Sequence, residues 1–295
     1  MTSLPSYPDF APLSLEMARE LLPHLVKLPD GVSEYTFAGL YLFRHRYGYK
    51  ASLKDEVLII SGERDGKRFF ITPCCKTGIE TVNELFQDHD LWKLISPAFL
   101  EKNRDMLASA GLVPEQDRDN FDYLYLRTDL ATLSGKRFHK KRNHVNAFEN
   151  TYPVFSLKPL DLSTRDDARA VLESWVSHEA LPEETDYQAA AEALDLMEHF
   201  SMSGLVLYVD SEPVAWTMAE LVADGKIAAV HFEKARIEYR GSYQYINYAF
   251  ARSLPETVEF INREQDLGDE GMRQAKMTYR PCGFVEKYRL EKHAQ

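Results

Sequence analysis

The chain has 295 residues, of which 44% are hydrophobic, and it carries a net charge of −11. This length favours two packed cores, since single domains usually span roughly 100–200 residues. The acidic balance argues against a general nucleic-acid coat protein, which needs a broad basic field to displace counterions from phosphates. Any anionic partner must therefore bind at a local basic patch.

The N-terminus and the cysteines indicate the expected compartment. Residues 1–10 lack a basic start followed by an apolar core, and no stretch reaches the roughly 18 apolar residues of a membrane span. Cys74 and Cys75 are adjacent, which strains a disulfide, and Cys282 has no partner at metal-ligand spacing. We therefore expect a cytoplasmic protein with reduced thiols, no metal site and no integral membrane segment.

The first half of the chain is predicted to mix strands and helices. Two apolar-rich strands flank Arg64-Asp65-Gly66, where aspartate and glycine tolerate the positive φ of a tight hairpin. The predicted elements are strands at 56–62 and 67–73, a helix around 79–86, a strand at 91–95, a helix at 97–110 closed by Gly111, and a strand at 121–126.

A basic segment separates the two halves. Residues 135–144 contain five lysines or arginines and no acid, and their helical propensity continues to residue 148. The candidate substrate-binding residues here are Lys136, Arg137, Lys140, Lys141, Arg142 and Asn143. They are predicted to bind a phosphate-rich ligand such as tRNA, and the alternative is a solvated helix face. The predicted domains are 1–134, a basic bridging helix at 135–154, and 155–295.

The second half is predicted to begin with two amphipathic helices and continue with an antiparallel meander. Reversal sequences such as Asp210-Ser211-Glu212-Pro213 separate the strands of the meander. The predicted elements are helices at 168–176 and 190–197, strands at 205–209, 214–221 and 227–233, a helix at 242–253, a strand at 258–262, a helix at 269–277 and a strand at 283–290.

The turn before the helix at 242–253 is a candidate anion site, because free amides and the helix dipole meet there. The order of elements over residues 155–290 resembles the GNAT acyltransferase fold, whose members hold the CoA pyrophosphate at this turn. The resemblance implies cofactor-binding roles for Arg240, Gly241, Ser242, Tyr243, Gln244 and Asn262. Glu238 and Tyr243 depart from the family pattern and argue against ordinary acetyl-CoA binding. The alternative is that Gly241 only introduces a helix.

The spacing of Ala275, Tyr279 and Gly283-Phe284 also resembles the GNAT ending. The resemblance implies that Tyr279 enters a cleft where two strands part and protonates the leaving group. Glu233, at the end of the strand before the anion turn, is the candidate base. The alternatives are a core tyrosine and a surface ion pair.

Polar residues follow the strand at 258–262, at the end where α/β sheets open their clefts. Arg263 is a candidate ligand for a carboxylate or phosphate, and Glu264 or Asp266 for a cationic amine. The alternative is a solvated loop that caps the next helix at Asp269.

Three stretches, 123–144, 239–247 and 262–276, carry a closer resemblance. They are similar to uncharacterised relatives of the C-terminal domain of phosphatidylglycerol lysyltransferases, which are tandem GNAT-like proteins akin to the Fem-type aminoacyltransferases. The resemblance implies an α+β fold with two mixed, mainly antiparallel sheets flanked by helices. It also implies transfer of an aminoacyl group from aminoacyl-tRNA to an amine or hydroxyl. The lysyltransferases add a many-span membrane module, so a lipid acceptor is not expected.

The function predicted from the sequence is therefore acyl transfer, with aminoacyl-tRNA or acyl-CoA as co-substrate and a small-molecule or peptide amine as acceptor. One alternative is an acyl-CoA-dependent N-acetyltransferase. Another is a non-catalytic small-molecule-binding protein that keeps the fold. The sequence leaves the oligomeric state open.

Overall fold

The computed structural model describes residues 4–25, 30–73, 76–179, 181 and 184–292, so Cys74 and Cys75 lie outside the described residues. The chain forms two compact units that interleave along the sequence. Unit 1 comprises Met1–Asp122, Gln265–Asp269 and Phe284–Gln295, and unit 2 comprises Tyr123–Glu264 and Glu270–Gly283. These boundaries differ from the three consecutive domains expected from the sequence.

Unit 1 contains a sheet that, in the described part of the chain, has seven strands. In order across the sheet they are β1 (Ala11–Pro12), β2 (Lys50–Lys54), β3 (Val57–Arg64), β4 (Lys67–Ile71), β5 (Leu91–Ile95), β14 (Tyr288–Glu291) and β6 (Glu115–Gln116). Neighbours are antiparallel except β4 and β5, which are parallel. The helices are α1 (Ala18–Leu25), α2 (Phe37–Leu42), α3 (Arg44–Tyr47), α4 (Ile79–Asp88), α5 (Pro97–Lys102) and α6 (Arg104–Ser109).

Two predictions from local sequence, the hairpin at Asp65-Gly66 and the helix at 97–110, have different outcomes in the structure. Asp65 and Gly66 have φ values of 54° and 74° and connect β3 to β4, which confirms the predicted hairpin. The predicted helix at 97–110 is instead two helices that part at Asn103. Both its backbone N–H and its side-chain amide donate to the Phe99 carbonyl, at 3.0 and 2.9 Å, and the first helix ends there.

The core of unit 1 packs α4 against the sheet. Val82 and Leu85 of α4 are fully buried beside Phe70 of β4 and Trp92 of β5. The rings of Phe70 and Trp92 stack with centroids 5.7 Å apart, and Phe99 meets Trp92 edge-on. The apolar residues whose spacing predicted α4 therefore form the face that this helix buries.

A buried lysine joins three distant segments of unit 1. Lys287 has no exposed surface, and its ammonium donates to Glu34 and, at 2.6 Å, to Asp122. Asp122 also accepts from the backbone N–H of Ser33 at 2.9 Å. Burial would lower the pKa of Lys287, but the two carboxylates raise it above its usual value, so the lysine stays charged.

The predicted strand at 283–290 is wrong, and Lys287 is the physical reason. Its residues form two short strands, β13 (Gly283–Val285) and β14, which belong to different sheets. Between them Lys287 turns its side chain to the buried carboxylates, and its carbonyl accepts from the Asp117 N–H at 2.8 Å.

We expect Lys287→Met to lower the free energy of unfolding by about 3–5 kcal/mol, because it leaves Asp122 and Glu34 buried without their cation. Urea denaturation measures the loss. Lys292→Met, at an exposed lysine of the same segment, is the control and should change stability by no more than about 0.5 kcal/mol. A loss below about 1 kcal/mol for Lys287→Met would contradict the role given to this lysine.

The second sheet also has seven strands among the described residues. Their order is β13, β7 (Asp122–Leu126), β12 (Phe260–Asn262), β11 (Ile227–Ala235), β10 (Glu212–Val222), β9 (Met202–Val209) and β8 (Phe155–Pro159). From β7 to β8 the neighbours are antiparallel except β11 and β12. The helices are α7 (Arg127–Thr132), α8 (His139–Thr151), α9 (Arg165–Val176), α10 (Tyr187–Asp195), α11 (Ser242–Ser253) and α12 (Glu270–Met277).

The observed elements confirm the predicted fold class. The meander appears as β9, β10 and β11, and α11 has the bounds predicted from the sequence. Both sheets are mixed and mainly antiparallel, with helices beside them, so the fold is α+β. Among the described residues, no helix combines the length and apolar character that crossing a membrane requires.

Candidate active site

The parallel strands β11 and β12 part at Asn262. They pair only from Ile227↔Phe260 to Ala229↔Asn262, where β12 ends, while β11 continues to Ala235. On its side toward β12, the later part of β11 therefore has no paired strand and faces the segment that follows β12. His231 lies at a bulge in the pairing of β10 with β11, and Glu233 follows it two residues later.

His231 and Glu264 form the first link across this gap. The Nδ1–H of His231 donates to Glu264 at 2.8 Å, and its Nε2–H donates to Glu220 at 3.4 Å. Burial alone would lower the pKa of His231, but the two carboxylates raise it to about 10. The imidazolium therefore persists at neutral pH. It binds Glu264, the carboxylate predicted from the sequence to bind a cationic amine.

Arg263 and Glu233 form the second link. The Arg263 guanidinium donates to Glu233 at 2.8 Å, and the Asn247 amide donates to the other carboxylate oxygen at 3.3 Å. Lys276 fixes the backbone beneath this pair by donating to the carbonyls of Arg263 and Glu264 at 2.7 and 3.1 Å. Glu264 needs this support because its φ of 54° lies in the left-handed region.

Tyr279 lies against the same arginine. The Arg263 guanidinium lies 4.9 Å from the centroid of its ring. The side chain is buried, and burial raises the pKa of Tyr279 to about 12. Tyr279 therefore keeps its proton at neutral pH, as a general acid requires. Tyr125 packs edge-on at 6.4 Å and donates its own hydroxyl proton to the Lys276 carbonyl at 2.8 Å.

Lys141 brings the basic segment to this cluster. It lies on α8, half-buried, with its ammonium 3.7 Å from the centroid of the Tyr279 ring. Burial and the nearby Arg263 lower the pKa of Lys141 to about 8. An amine with this pKa exchanges protons near physiological pH. Glu233, Arg263, Tyr279 and Lys141 are hereafter called the Arg263 cluster.

The other basic residues divide into two kinds. Arg137 pairs with Asp129 at 2.6 Å, and Arg142 donates to the carbonyls of Leu133 and, at 3.3 Å, Gly135. These two arginines hold the turn before α8. Arg137 is nevertheless exposed to solvent, as are Lys136, Lys140 and Asn143.

The predicted anion turn is packed beneath α8. Gly241 precedes α11 with a φ of 92°, and a Cβ there would lie 3.2 Å from both the His144 carbonyl and the Phe148 side chain. Phe148 in turn stacks on Tyr245 of α11 at 4.7 Å. The glycine is therefore required by backbone conformation and by helix packing. Of the remaining turn residues, Arg240 is exposed, Ser242 is buried, and Tyr243 and Gln244 are half-buried.

Asp266 and Asn262 have structural partners. Asp266 belongs to unit 1, where it is fully buried, lies 3.4 Å from Arg118 and accepts from the Gly268 N–H at 2.9 Å. The buried Asn262 accepts from the Glu264 N–H at 2.7 Å. The structure thus brings Glu233, Arg263, Tyr279 and Lys141 together, and it engages Asp266 within the other unit.

Sequence reasoning missed several residues that build this site: His231, Glu220, Asn247 and Lys276. His231 and Glu233 interrupt the apolar strand β11 at alternate positions. Two polar side chains in an otherwise apolar, buried strand are a signal that could have been used.

A family model matches most of the chain. The sequence model of the family described as phosphatidylglycerol lysyltransferase, C-terminal, matches residues 26–291. The chain belongs to this family. The match includes every residue of the Arg263 cluster.

Three solved structures are similar to this member of the lysyltransferase C-terminal family. A conserved protein of unknown function from Bacteroides thetaiotaomicron is 28% identical, with a TM-score of 0.83 over 96% of this chain and 99% of that one. The C-terminal domain assigned to a lysylphosphatidylglycerol synthetase from Agrobacterium fabrum is 15% identical, with a TM-score of 0.66 over 95% and 93%. FemX is 8% identical, with a TM-score of 0.57 over 96% and 97%. At such low identity, the last two likenesses establish the fold.

A curated relative covers less of the chain. The protein MYCGA3080 of Mycoplasmoides gallisepticum, described as uncharacterised, is 23% identical over 175 residues, or 57% of this chain. The chain spans about half the length of that relative, 54%.

We expect Lys141 to react with acetic anhydride as an amine that is half neutral near pH 8, because only the neutral amine is nucleophilic and the pKa of Lys141 is lowered to about 8. Tandem mass spectrometry of the peptide after timed labelling between pH 6 and 10 gives the midpoint. The exposed Lys140 on the same peptide supplies the reference, and Arg263→Gln should move the midpoint to higher pH by removing the nearby cation. A midpoint equal to that of Lys140 would contradict the geometry.

Proposed function

We propose that this protein is an aminoacyltransferase that uses aminoacyl-tRNA as donor and an amine or hydroxyl as acceptor, with the Arg263 cluster as its reaction centre. The observation that carries the proposal is the arrangement around Tyr279. A proton donor lies against both a buried arginine and a lysine of lowered pKa, beside the point where β11 and β12 part. Membership of the lysyltransferase C-terminal family and the likeness to FemX support the same reaction class.

Each residue of the cluster has a distinct task in this proposal. The acceptor attacks the carbonyl carbon of the aminoacyl ester, and neutral Lys141 takes the proton that the acceptor loses. The bond to the ribose oxygen then breaks, and Tyr279 donates its phenol proton to that oxygen. The Lys141 ammonium afterwards returns a proton to Tyr279. No covalent protein intermediate is needed, because the donor is already an activated ester and proximity lowers the barrier.

Glu233 has a different task from the base predicted by its position in the sequence. Its carboxylate accepts from Arg263 and from Asn247, so it is neutralised and oriented. In the proposal it positions Arg263 against Tyr279, and Lys141 serves as the base. Glu264 is likewise engaged by His231 and is not used to bind a cationic amine.

The exposed lysines of the basic segment supply the tRNA contact. Arg137 and Arg142 are engaged by Asp129 and by backbone carbonyls, which leaves Lys136 and Lys140 to face phosphates. Two phosphate contacts would suit an acidic protein that must bind and release its donor, because each contact strengthens binding only moderately at physiological salt.

We expect Lys136→Gln/Lys140→Gln to weaken tRNA binding and to reduce the slope of log affinity against log salt by about two units, since each lost phosphate contact removes about one. Filter binding at several salt concentrations measures the slope. Lys102→Gln/Lys292→Gln changes two exposed lysines of unit 1 and should leave it unaltered. If Lys136→Gln/Lys140→Gln also leaves the slope unaltered, the basic segment is only a solvated helix face.

We expect Tyr279→Phe to slow aminoacyl transfer about 100-fold, as loss of a general acid does, with little change in tRNA affinity. The assay follows radiolabelled amino acids from a charged bacterial tRNA pool into lysine-containing peptides or into phosphatidylglycerol vesicles. Tyr125→Phe is the matched control. It removes the neighbouring hydroxyl, which contacts only a backbone carbonyl, and should cost about 1 kcal/mol of stability without slowing transfer.

The acceptor arms separate the outcomes of this assay. Label in the peptide identifies an amine acceptor, and label in the vesicle identifies a lipid hydroxyl. Transfer to neither, together with CoA retained in native mass spectrometry, would replace the proposal with the acyl-CoA-dependent alternative. Equal slowing by Tyr279→Phe and Tyr125→Phe would show that Tyr279 has only a packing role.

A further inference from the structure

In unit 1, a serine that lines a cavity makes a hydrogen bond with a buried histidine, and the proposed function uses neither residue. Ser61 lies on β3 and His89 follows α4, and their Oγ and Nε2 atoms are 2.8 Å apart. We propose that Ser61 is a nucleophile activated by His89 and that it takes the acyl group of small esters carrying a carboxylate or phosphate. This would be a second acyl-transfer site, independent of the Arg263 cluster.

The surroundings of His89 set the direction of its hydrogen bond to Ser61. The Nδ1 atom lies 2.9 Å from the Leu85 carbonyl, which can only accept, so Nδ1 carries the ring proton. In the neutral imidazole Nε2 then holds a lone pair and accepts the proton of the Ser61 hydroxyl. Burial lowers the pKa of His89, which keeps the ring neutral and able to act as a base. The rings of Phe10 and Phe70, with centroids 6.2 and 5.5 Å away, hold it in place.

Ser61 lines a cavity of about 200 Å³, which suits a small acyl group. The other lining residues are Phe10, Gly48, Lys50, Gly62, Glu63 and Arg68. A second cavity, of about 500 Å³, shares Gly48 and Glu63 with the first and adds Arg46, Tyr47, Arg64 and Asp65. The shared residues make the two spaces neighbours, so a substrate can place its acyl group at Ser61 and its remainder in the larger cavity.

The charges around Ser61 favour an anionic substrate. Ser61 pairs with Lys50 on β2, and Glu63 pairs with Arg68 on β4; directly paired residues of antiparallel strands share one face. Ser61 and Glu63, two residues apart, are on the same face as well. Across both cavities, four cations (Arg46, Lys50, Arg64 and Arg68) line the walls with two carboxylates (Glu63 and Asp65). The excess of positive charge can hold a carboxylate or phosphate and can stabilise an oxyanion formed at the ester.

The proposed reaction balances with water as the only co-reactant. The Ser61 oxygen attacks the ester carbonyl while His89 takes the hydroxyl proton, and the departing alcohol then receives that proton from His89. The product is an acyl ester on Ser61. Water attacks this ester, His89 takes its proton, and Ser61 regains a proton as the carboxylic acid leaves.

Ser52 shows what a serine with a purely structural role looks like in the same sheet. It lies on β2, is fully buried, and donates to the Pro5 carbonyl at 3.4 Å. Ser61, in contrast, borders a cavity and donates to a base. The two serines therefore differ in access and in activation, and Ser52→Ala is a matched control.

Diisopropyl fluorophosphate, applied to the full chain, tests the proposal, with peptide mapping by mass spectrometry. We expect one adduct on Ser61, absent in Ser61→Ala and unchanged in Ser52→Ala. His89→Gln should slow its formation about 100-fold, the usual effect of losing a general base. Inorganic phosphate should slow labelling of the wild-type protein by occupying the cationic cavity. p-Nitrophenyl acetate should give a burst of about one nitrophenol per chain, which Ser61→Ala abolishes.

Melting temperatures of the variants separate chemistry from folding. Should His89→Gln fail to fold, the pH dependence of wild-type labelling replaces it: the rate should hold from pH 8 to 7 and fall only when His89 is protonated, below its usual range. No adduct on Ser61, or equal labelling in a folded His89→Gln variant, overturns the proposal and leaves the pair a structural hydrogen bond. Aminoacyl transfer by Ser61→Ala should be normal in either case, which keeps this test separate from that of the Arg263 cluster.

Discussion

Two ion pairs across the gap between β11 and the segment after β12 determine the geometry of the candidate site. His231 holds Glu264, and Glu233 holds Arg263, where the two strands no longer share backbone hydrogen bonds. Buried charges are tolerated only while their partners remain, so each pair fixes the position of both its members. The place of Tyr279 depends on Arg263, and the lowered pKa of Lys141 depends partly on the same guanidinium. A substitution of Glu233 would therefore alter the position of Tyr279 and the pKa of Lys141 through Arg263.

The two units show different uses of buried charge. In unit 1, Lys287 neutralises Asp122 and Glu34, so the network is compact and serves stability. In unit 2, Arg263 is matched by Glu233, while none of the described carboxylates forms an ion pair with Lys141. Lys141 thus differs from Lys287, whose charge is matched by two carboxylates.

Local signals in the sequence account for much of the fold. Asp65-Gly66 predicted the hairpin, because few residues accept two successive positive φ values, and the helical spacing of Ile246, Ala249 and Phe250 predicted α11. Glu233, Arg263 and Tyr279 were nominated from their positions, and the structure brings them together. Contacts between distant segments could not be read in this way. The strand break at Lys287 depends on Asp122 and Glu34, which lie far away in the chain, and the pairing of Ser61 with His89 depends on how α4 packs.

The position of β14 has a consequence for synthesis on the ribosome. This strand lies inside the sheet of unit 1, between β5 and β6, yet it is translated after every residue of unit 2. While unit 2 emerges, β5 therefore has an edge with unpaired amides and carbonyls, which is the kind of edge that recruits strands from other chains. Until β14 has been synthesised, this edge can mispair with other nascent chains on the same messenger, and β14 then closes it.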